Sequence, residues 1–163
     1  MRENECTLVE FCPEHLEAVF AIQRAAYRPL YEQYRDEATS PYKESKAAVL
    51  QKYTRPGTQG YLFVKNGVPV GAVRVILYPE TASARISALA VHPQHQGQSI
   101  AQQALCAIEQ RHPQVKRWFL DTILQEAGNC HLYEKLGYRR TGEQTVLHEG
   151  MTLVGYEKRR SKL

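Results

Sequence analysis

Apolar positions along the chain change period several times, and each change marks an element. Thr7–Phe11 (TLVEF) reads as a short strand. Pro13 then suits a first helical position, with Glu14 in the first turn, where a carboxylate meets the positive helix end. Leu16, Val19, Phe20 and Tyr27 follow at helical spacing. A second helix is expected from Ser40-Pro41, with Ser40 as N-cap. Tyr42, Lys46, Val49, Leu50 and Tyr53 share its face, and Arg55-Pro56-Gly57 ends it. The period then shortens. Tyr61–Lys65 and Val68–Tyr78 are strand-like, and Asn66-Gly67 between them is a hairpin signal, because both turn positions need positive φ. Ala84–His92 is a further strand. Gly97 follows, then a helix from about Ser99 to Arg111 with Ile100, Ala104, Leu105 and Ile108 on its apolar face. Trp118–Ile123 is a strand, and Asn129–Leu136 a short helix stopped by Gly137. Strands near Arg139–Val146 and Met151–Lys158 close the chain.

The expected order is β-α-α-β-β-β-α-β-α-β-β. The early strands are hairpin-linked and antiparallel. The unit around residues 84–123 crosses over through a helix, which makes its two strands parallel. The fold class is therefore α/β of the α+β kind: a mixed, mostly antiparallel sheet with a central parallel strand-helix-strand unit. The 163 residues form one domain, with a core of about 6–157 and a basic tail at 158–163.

Composition narrows the class. Hydrophobic residues make up 43% and charged residues 23%, as in an ordinary globular protein rather than a disordered chain or a coiled coil. No apolar run approaches the roughly 20 residues of a membrane helix. The first five residues are polar, with no apolar stretch behind them, so a secretory signal is not expected. The net charge is +4, yet residues 158–163 carry four basic side chains and no acid, so the body is neutral. A basic tail can bind nucleic acid, but it is more often a solvated end, and the neutral body argues against a nucleic-acid partner. Cys6, Cys12, Cys106 and Cys130 lie too far apart for a metal-ligand pattern. Cys106 sits among apolar neighbours and reads as a buried thiol. Reduced cysteines and no leader point to the cytoplasm. The terminal Ser161-Lys162-Leu163 would suggest a peroxisomal address only in a eukaryote.

Two segments carry chemistry. In the first, a strand runs into Gln94-His95-Gln96-Gly97-Gln98, and a helix begins at Ser99. A helix start offers unpaired N–H groups and a positive dipole end, and a preceding glycine lets backbone approach a ligand closely. The segment lacks the Lys-Ser or Lys-Thr pair of a nucleotide P-loop. Glycines before helices are common, so this segment alone does not separate a phosphate cradle from a plain helix start. In the second, Asn129 and Tyr133 stand at i and i+4 on one helix face. A phenol with an ordinary pKa near 10 can protonate a leaving thiolate of similar basicity. The chain has ten tyrosines, most of them expected in core or surface roles.

Together, Gln94-His95-Gln96-Gly97-Gln98-Ser99 and Asn129–Tyr138 (NCHLYEKLGY) resemble the two signature stretches of the GNAT superfamily of acyl-CoA-dependent N-acetyltransferases. The strand order resembles that fold over about residues 6–157. The resemblance implies acetyl-CoA as co-substrate, no metal, and direct attack of an amine on the thioester. It implies that Leu89, Ala90 and Val91 offer backbone groups to the pantetheine arm. The N–H groups of Gln96, Gly97, Gln98, Ser99, Ile100 and Ala101 would hold the pyrophosphate. Asn129 would bond near the cofactor, and Tyr133 would be the general acid. A small-molecule or peptide amine is the implied partner, and homodimers are common in the family. Ser99 departs from the usual Gly or Ala; a small hydroxyl residue is compatible with capping or with a phosphate contact. Ala84–His92 has no carboxylate, where many relatives carry a catalytic Glu. Asp121, His131, Glu149 and Glu44 are conceivable bases, as is water, and none is singled out. Tyr27, Tyr31 and Tyr34 with Glu32, Asp36 and Glu37 would form an aromatic and acidic wall suited to a cationic amine. The same residues equally describe a solvated helix face. The His148-Glu149-Gly150 turn borders the site or is simply a hairpin. The rival readings are a non-catalytic module of the same fold and a small nucleic-acid-binding domain led by the tail.

Overall fold

A computed structural model describes residues 6–160 of the chain. The described elements are β1 (Thr7–Glu10), α1 (Leu16–Tyr34), α2 (Lys46–Tyr53), β2 (Thr58–Lys65), β3 (Val68–Tyr78), β4 (Ser83–Val91), α3 (Ile100–Arg111), β5 (Arg117–Ile123), α4 (Ala127–Lys135), β6 (Arg139–His148) and β7 (Met151–Arg159). The sheet has seven strands in the order β1-β2-β3-β4-β5-β7-β6, and β4/β5 is its parallel pair. The expected class and connectivity hold. Asn66 (φ 52°) and Gly67 (φ 78°) both take the left-handed conformation that a two-residue hairpin demands.

Helices cover both faces. On one, Val19 and Val49 from α1 and α2 pack with Tyr53 on Leu62 and Ala72 of the sheet. On the other, Ile100, Ala104, Leu105 and Ile108 of α3 meet Phe63, Val73, Ile86 and Trp118. Each of the larger α3 side chains contributes roughly 1.5–3 kcal/mol by leaving water. That packing fixes where the start of α3 lies, and so fixes the site.

Several local expectations are corrected. The helix expected from Ser40 is a 3-10 turn at Pro41–Lys43, capped by Ser40 through Tyr42 N, followed by α2 with its own cap at Ser45. Two serines each offer a cap, and the chain uses both. α1 runs on to Tyr34 through Pro29, which leaves one helical carbonyl without its amide donor. Cys106 is exposed, because it lies across the helix from Ala104, Leu105 and Ile108. The basic tail is partly structured. Lys158 and Arg159 belong to β7, Lys158 pairs with Glu109 at 3.0 Å, and Arg160 donates to Glu109 O and His112 O at the carboxyl end of α3. A cation there meets the negative helix end. Ser161-Lys162-Leu163 lies outside the described residues.

His112 is buried beside Trp118, and a 2.7 Å hydrogen bond links its Nε2 with the Tyr61 hydroxyl. Burial, helped by Arg111 and opposed by Glu10, lowers its pKa from the ordinary 6.5. The folded state therefore resists a proton that the unfolded state accepts. Stability is expected to fall as pH drops below about 6.5, by at most about 1.4 kcal/mol per pH unit from this group. His112→Gln should flatten that limb of a urea-melt pH series; an unchanged slope would assign the acid sensitivity elsewhere.

Candidate active site

β4 and β5 pair only over Ser83–Arg85 with Arg117–Phe119. Beyond that the strands part, β4 running to Val91 and β5 to Ile123. A cavity of about 820 Å³ fills the opening. One side of it is β4 and the start of α3, the other is β5 and α4, and α1 with the β6–β7 hairpin closes one end. A bulge shapes β4 at this point. Ala72 faces Ala90 while Arg74 faces Ser87, so Ala88 and Leu89 share the place opposite Val73. Ala88 sits at φ 51°, a left-handed conformation unusual for alanine.

The bulge decides which backbone groups face the opening. His92 N donates to Val70 O at 2.8 Å, so by alternation Val91 turns its N–H and carbonyl away from β3. Of the expected pantetheine residues, Leu89 and Val91 therefore address the cavity, while Ala90 backbone is engaged on the ladder with Ala72. Two carbonyls are already held. Tyr27, on α1, donates its hydroxyl to Leu89 O at 2.7 Å, and Gln96 Nε2 donates to Val91 O at 3.1 Å. Burial pushes the Tyr27 phenol above its ordinary pKa, so it stays a donor at any working pH. Neither lock was foreseen, because each joins a side chain to backbone whose exposure depends on the bulge.

The Gln96–Ala101 segment forms the expected turn into a helix. Gly97 (φ 80°) and Ser99 (φ 61°) are both left-handed. A Cβ at Gly97 would meet no protein atom within 4 Å, so its open side faces solvent or a ligand. Gln96 N is engaged with Pro93 O at 3.4 Å. Among the described residues, the N–H groups from Gly97 to Gln102 have no protein acceptor, the first helical bond being Gln103 N to Ser99 O. The donor row is thus shifted one residue along from the expected one. The Ser99 side chain makes no cap bond and is exposed. His92 caps Gln94 N through Nδ1, and Lys65 donates to Gln98 Oε1 at 2.8 Å, bracing the turn from both ends.

Across the opening, Asn129 and Tyr133 line the same cavity from α4. Asn129 is exposed, whereas Tyr133 is buried, edge-on to Tyr138 at 6.0 Å and tilted against Tyr156 at 6.2 Å. Desolvation, and then Cys130, push its phenol up to about 12. Of the conceivable bases, Asp121 and His131 line the cavity, and Asp121 is paired with Arg85 at 3.0 Å. Glu44 is occupied by Gln23 and Lys52, and Glu149 lies on the β6–β7 turn.

The expected acidic wall is not free. Glu32 is paired with Arg28, and Glu37 with Lys43 and the Tyr31 hydroxyl. Asp36 is buried and accepts from Ala38 N, Thr39 N and the Thr39 hydroxyl. A carboxylate that sequence reasoning passed over, Glu126, lines the cavity instead; Tyr34 donates to its Oε2 at 2.6 Å. Its position just ahead of α4 was the available signal.

A protein-family model for the GNAT acetyltransferases matches residues 17–138, three quarters of the chain and all of this cleft but its β6–β7 end. The chain belongs to the GNAT acetyltransferase family. GNAT enzymes take their acetyl group from acetyl-CoA. Solved structures share the fold. An acetyltransferase from Thermus thermophilus superposes with a TM-score of 0.76 at 19% identity, covering 98% of this chain and 100% of the other. The ribosomal-protein-S18-alanine N-acetyltransferase of Escherichia coli gives 0.74 at 17%, covering 98% and 96%. Spermidine N-acetyltransferase from Vibrio cholerae, in complex with CoA and spermine, gives 0.74 at 16%, covering 93% and 94%. A comparison with curated proteins found no match. Among the described residues of this GNAT domain, no helix is long and apolar enough to cross a membrane. Nor do three or more His, Cys, Asp or Glu side chains come together as a metal group there.

Proposed function

We propose that this GNAT protein is an N-acetyltransferase that moves an acetyl group from acetyl-CoA to a primary amine. The observation that carries the reading is one cavity bounded by a row of free N–H groups at the start of α3 and by the Tyr133 phenol on α4. The N–H groups of residues 97–102, with the positive end of α3, hold the pyrophosphate. Leu89 and Val91 present backbone N–H groups to the pantetheine arm, with their carbonyls kept in place by Tyr27 and Gln96. Asn129, one turn before Tyr133, bonds to the same arm. Acetyl-CoA supplies an activated thioester: as the amine nitrogen bonds to the acetyl carbon, the C–S bond breaks and sulfur leaves with the electron pair. Tyr133 gives that sulfur its proton and is reprotonated from solvent, while the surplus proton on nitrogen departs to water. None of the four thiols has a part in this sequence.

The test is a thermal-shift titration with acetyl-CoA, with ATP and NAD as controls, followed by amine acetylation measured as released thiol. Acetyl-CoA at about 100 times its Kd adds roughly 2.7 kcal/mol, or about 5–10 °C for a domain of this size. A shift specific to acetyl-CoA with thiol release is the expected result. A shift without transfer to any amine would indicate a CoA-binding module, and no shift in the folded protein would overturn the cofactor site.

A further inference from the structure

The end of the cavity away from α3 has its own chemistry. Tyr34, Ile123 and Met151 are buried together there, and Leu30, Leu147 and Leu153 pack against them. Of the acids that line the cavity, Asp36 is saturated by its own turn and Asp121 is paired with Arg85. Glu126 is different. Its Oε2 takes the Tyr34 hydroxyl, and its Oε1 has no partner among the described residues. A carboxylate fixed through one oxygen, with the other free beside an apolar surface, is a receptor for a single N–H-bearing cation.

The rim by Tyr31 has the opposite character. The Tyr31 ring, which lines the cavity, is stacked on Tyr42 at 5.1 Å. Lys43 and Arg35 lie 5.3 and 5.4 Å from the Tyr31 ring, and Arg24 lies 4.3 Å from that of Tyr42. The aromatic faces that could hold a cationic acceptor are already covered by cations of the chain. Their acidic neighbours, Glu32 and Glu37, are engaged. A second or third ammonium group on the acceptor would meet like charge here, where Glu32 and Glu37 are each already paired with a cation of the chain, whereas the partner of Glu126 is a neutral hydroxyl.

We propose that the acceptor is a monoamine on an apolar body, an alkyl or arylalkyl amine, whose ammonium docks on Glu126 while its body lies on the Leu30, Ile123, Leu147, Met151 and Leu153 surface. This rests on reading the cavity as the acetyl-transfer site, and it sets this chain apart from the spermidine enzyme that shares its fold. Glu126 binds and orients the ammonium, which gives up one proton to solvent before its nitrogen can attack; Tyr34 positions Glu126.

Calorimetric titration of 2-phenylethylamine, hexylamine and spermidine into the CoA-loaded protein tests it without requiring turnover. The two monoamines are expected to bind at least tenfold tighter than spermidine, and 2-phenylethanol, which lacks the charge, to bind at least tenfold more weakly than 2-phenylethylamine. Glu126→Gln keeps an oxygen for the Tyr34 hydroxyl and removes only the charge. It should weaken monoamine binding tenfold or more with CoA affinity unchanged. Spermidine binding as tightly as the monoamines would overturn the proposal, as would a Glu126→Gln Kd within twofold of the parent. If the variant fails to fold, the selectivity of the parent protein still decides. Monoamine binding with no acetyl transfer would uphold the receptor and overturn the reaction; transfer with a preference for spermidine would do the reverse.

Discussion

Tyr133→Phe is expected to lower kcat roughly 10²- to 10⁴-fold, the range a positioned proton donor contributes, while acetyl-CoA affinity stays unchanged. The hydroxyl makes no hydrogen bond to protein among the described residues, and the ring keeps its packing on Tyr138 and Tyr156 when the oxygen is removed. Stability should therefore be untouched, and the loss confined to the step that releases thiolate. The phenol, raised to about 12 by burial, keeps its proton throughout the neutral range. The parent rate should then show no alkaline fall from this group between pH 7 and 10. Steady-state thiol release and calorimetry with acetyl-CoA separate the two quantities. A kcat within threefold of the parent would remove Tyr133 from the chemistry.

The second large effect is expected at the turn before α3. Gly97 is at φ 80°, where a β-branched residue is strained, and an added side chain would project into the open space that the proposed function gives to the phosphates. Gly97→Val is expected to weaken acetyl-CoA binding at least thirtyfold. Strain of about 1–2 kcal/mol in holding the left-handed turn accounts for roughly five- to thirtyfold, and obstruction of close backbone approach adds to it. The core of α3 lies elsewhere on the helix, so the melting temperature without ligand should fall by only a few degrees. A thermal-shift titration compares both. Unchanged affinity would place the phosphates away from this turn.

The contrast between these two residues shows what could be read in advance. Gly97 and Tyr133 each sit in a local pattern, glycine before a helix and tyrosine one turn after Asn129, and local pattern survives in sequence. The α3 face, the Asn66-Gly67 hairpin and the parallel β4–α3–β5 unit were legible for the same reason: helix and strand periods and turn chemistry are set by neighbours within a few residues. Burial of Cys106 was misread because apolar neighbours in sequence lie on different faces of a helix. The second helix started late because two capping serines compete and only packing selects between them.

The sequence by itself determined the order and type of the elements, the sheet class and the two signature stretches, since periodicity, caps and turns are properties of contiguous residues. Tertiary structure alone decided that β4 and β5 part after three paired residues, that a bulge at Ala88 turns Leu89 and Val91 toward the gap, and that Tyr27 and Gln96 hold their carbonyls. It also decided which carboxylate is free. Glu32, Asp36 and Glu37 are taken by partners within six residues of them in the chain, an i,i+4 pair, a turn and a nearby lysine, while Glu126 meets Tyr34 across 92 positions. The availability of a charged group depends on every neighbour that could satisfy it: the local ones follow from chain order, but that Glu126 faces an apolar cavity with a tyrosine hydroxyl as its partner is decided by packing.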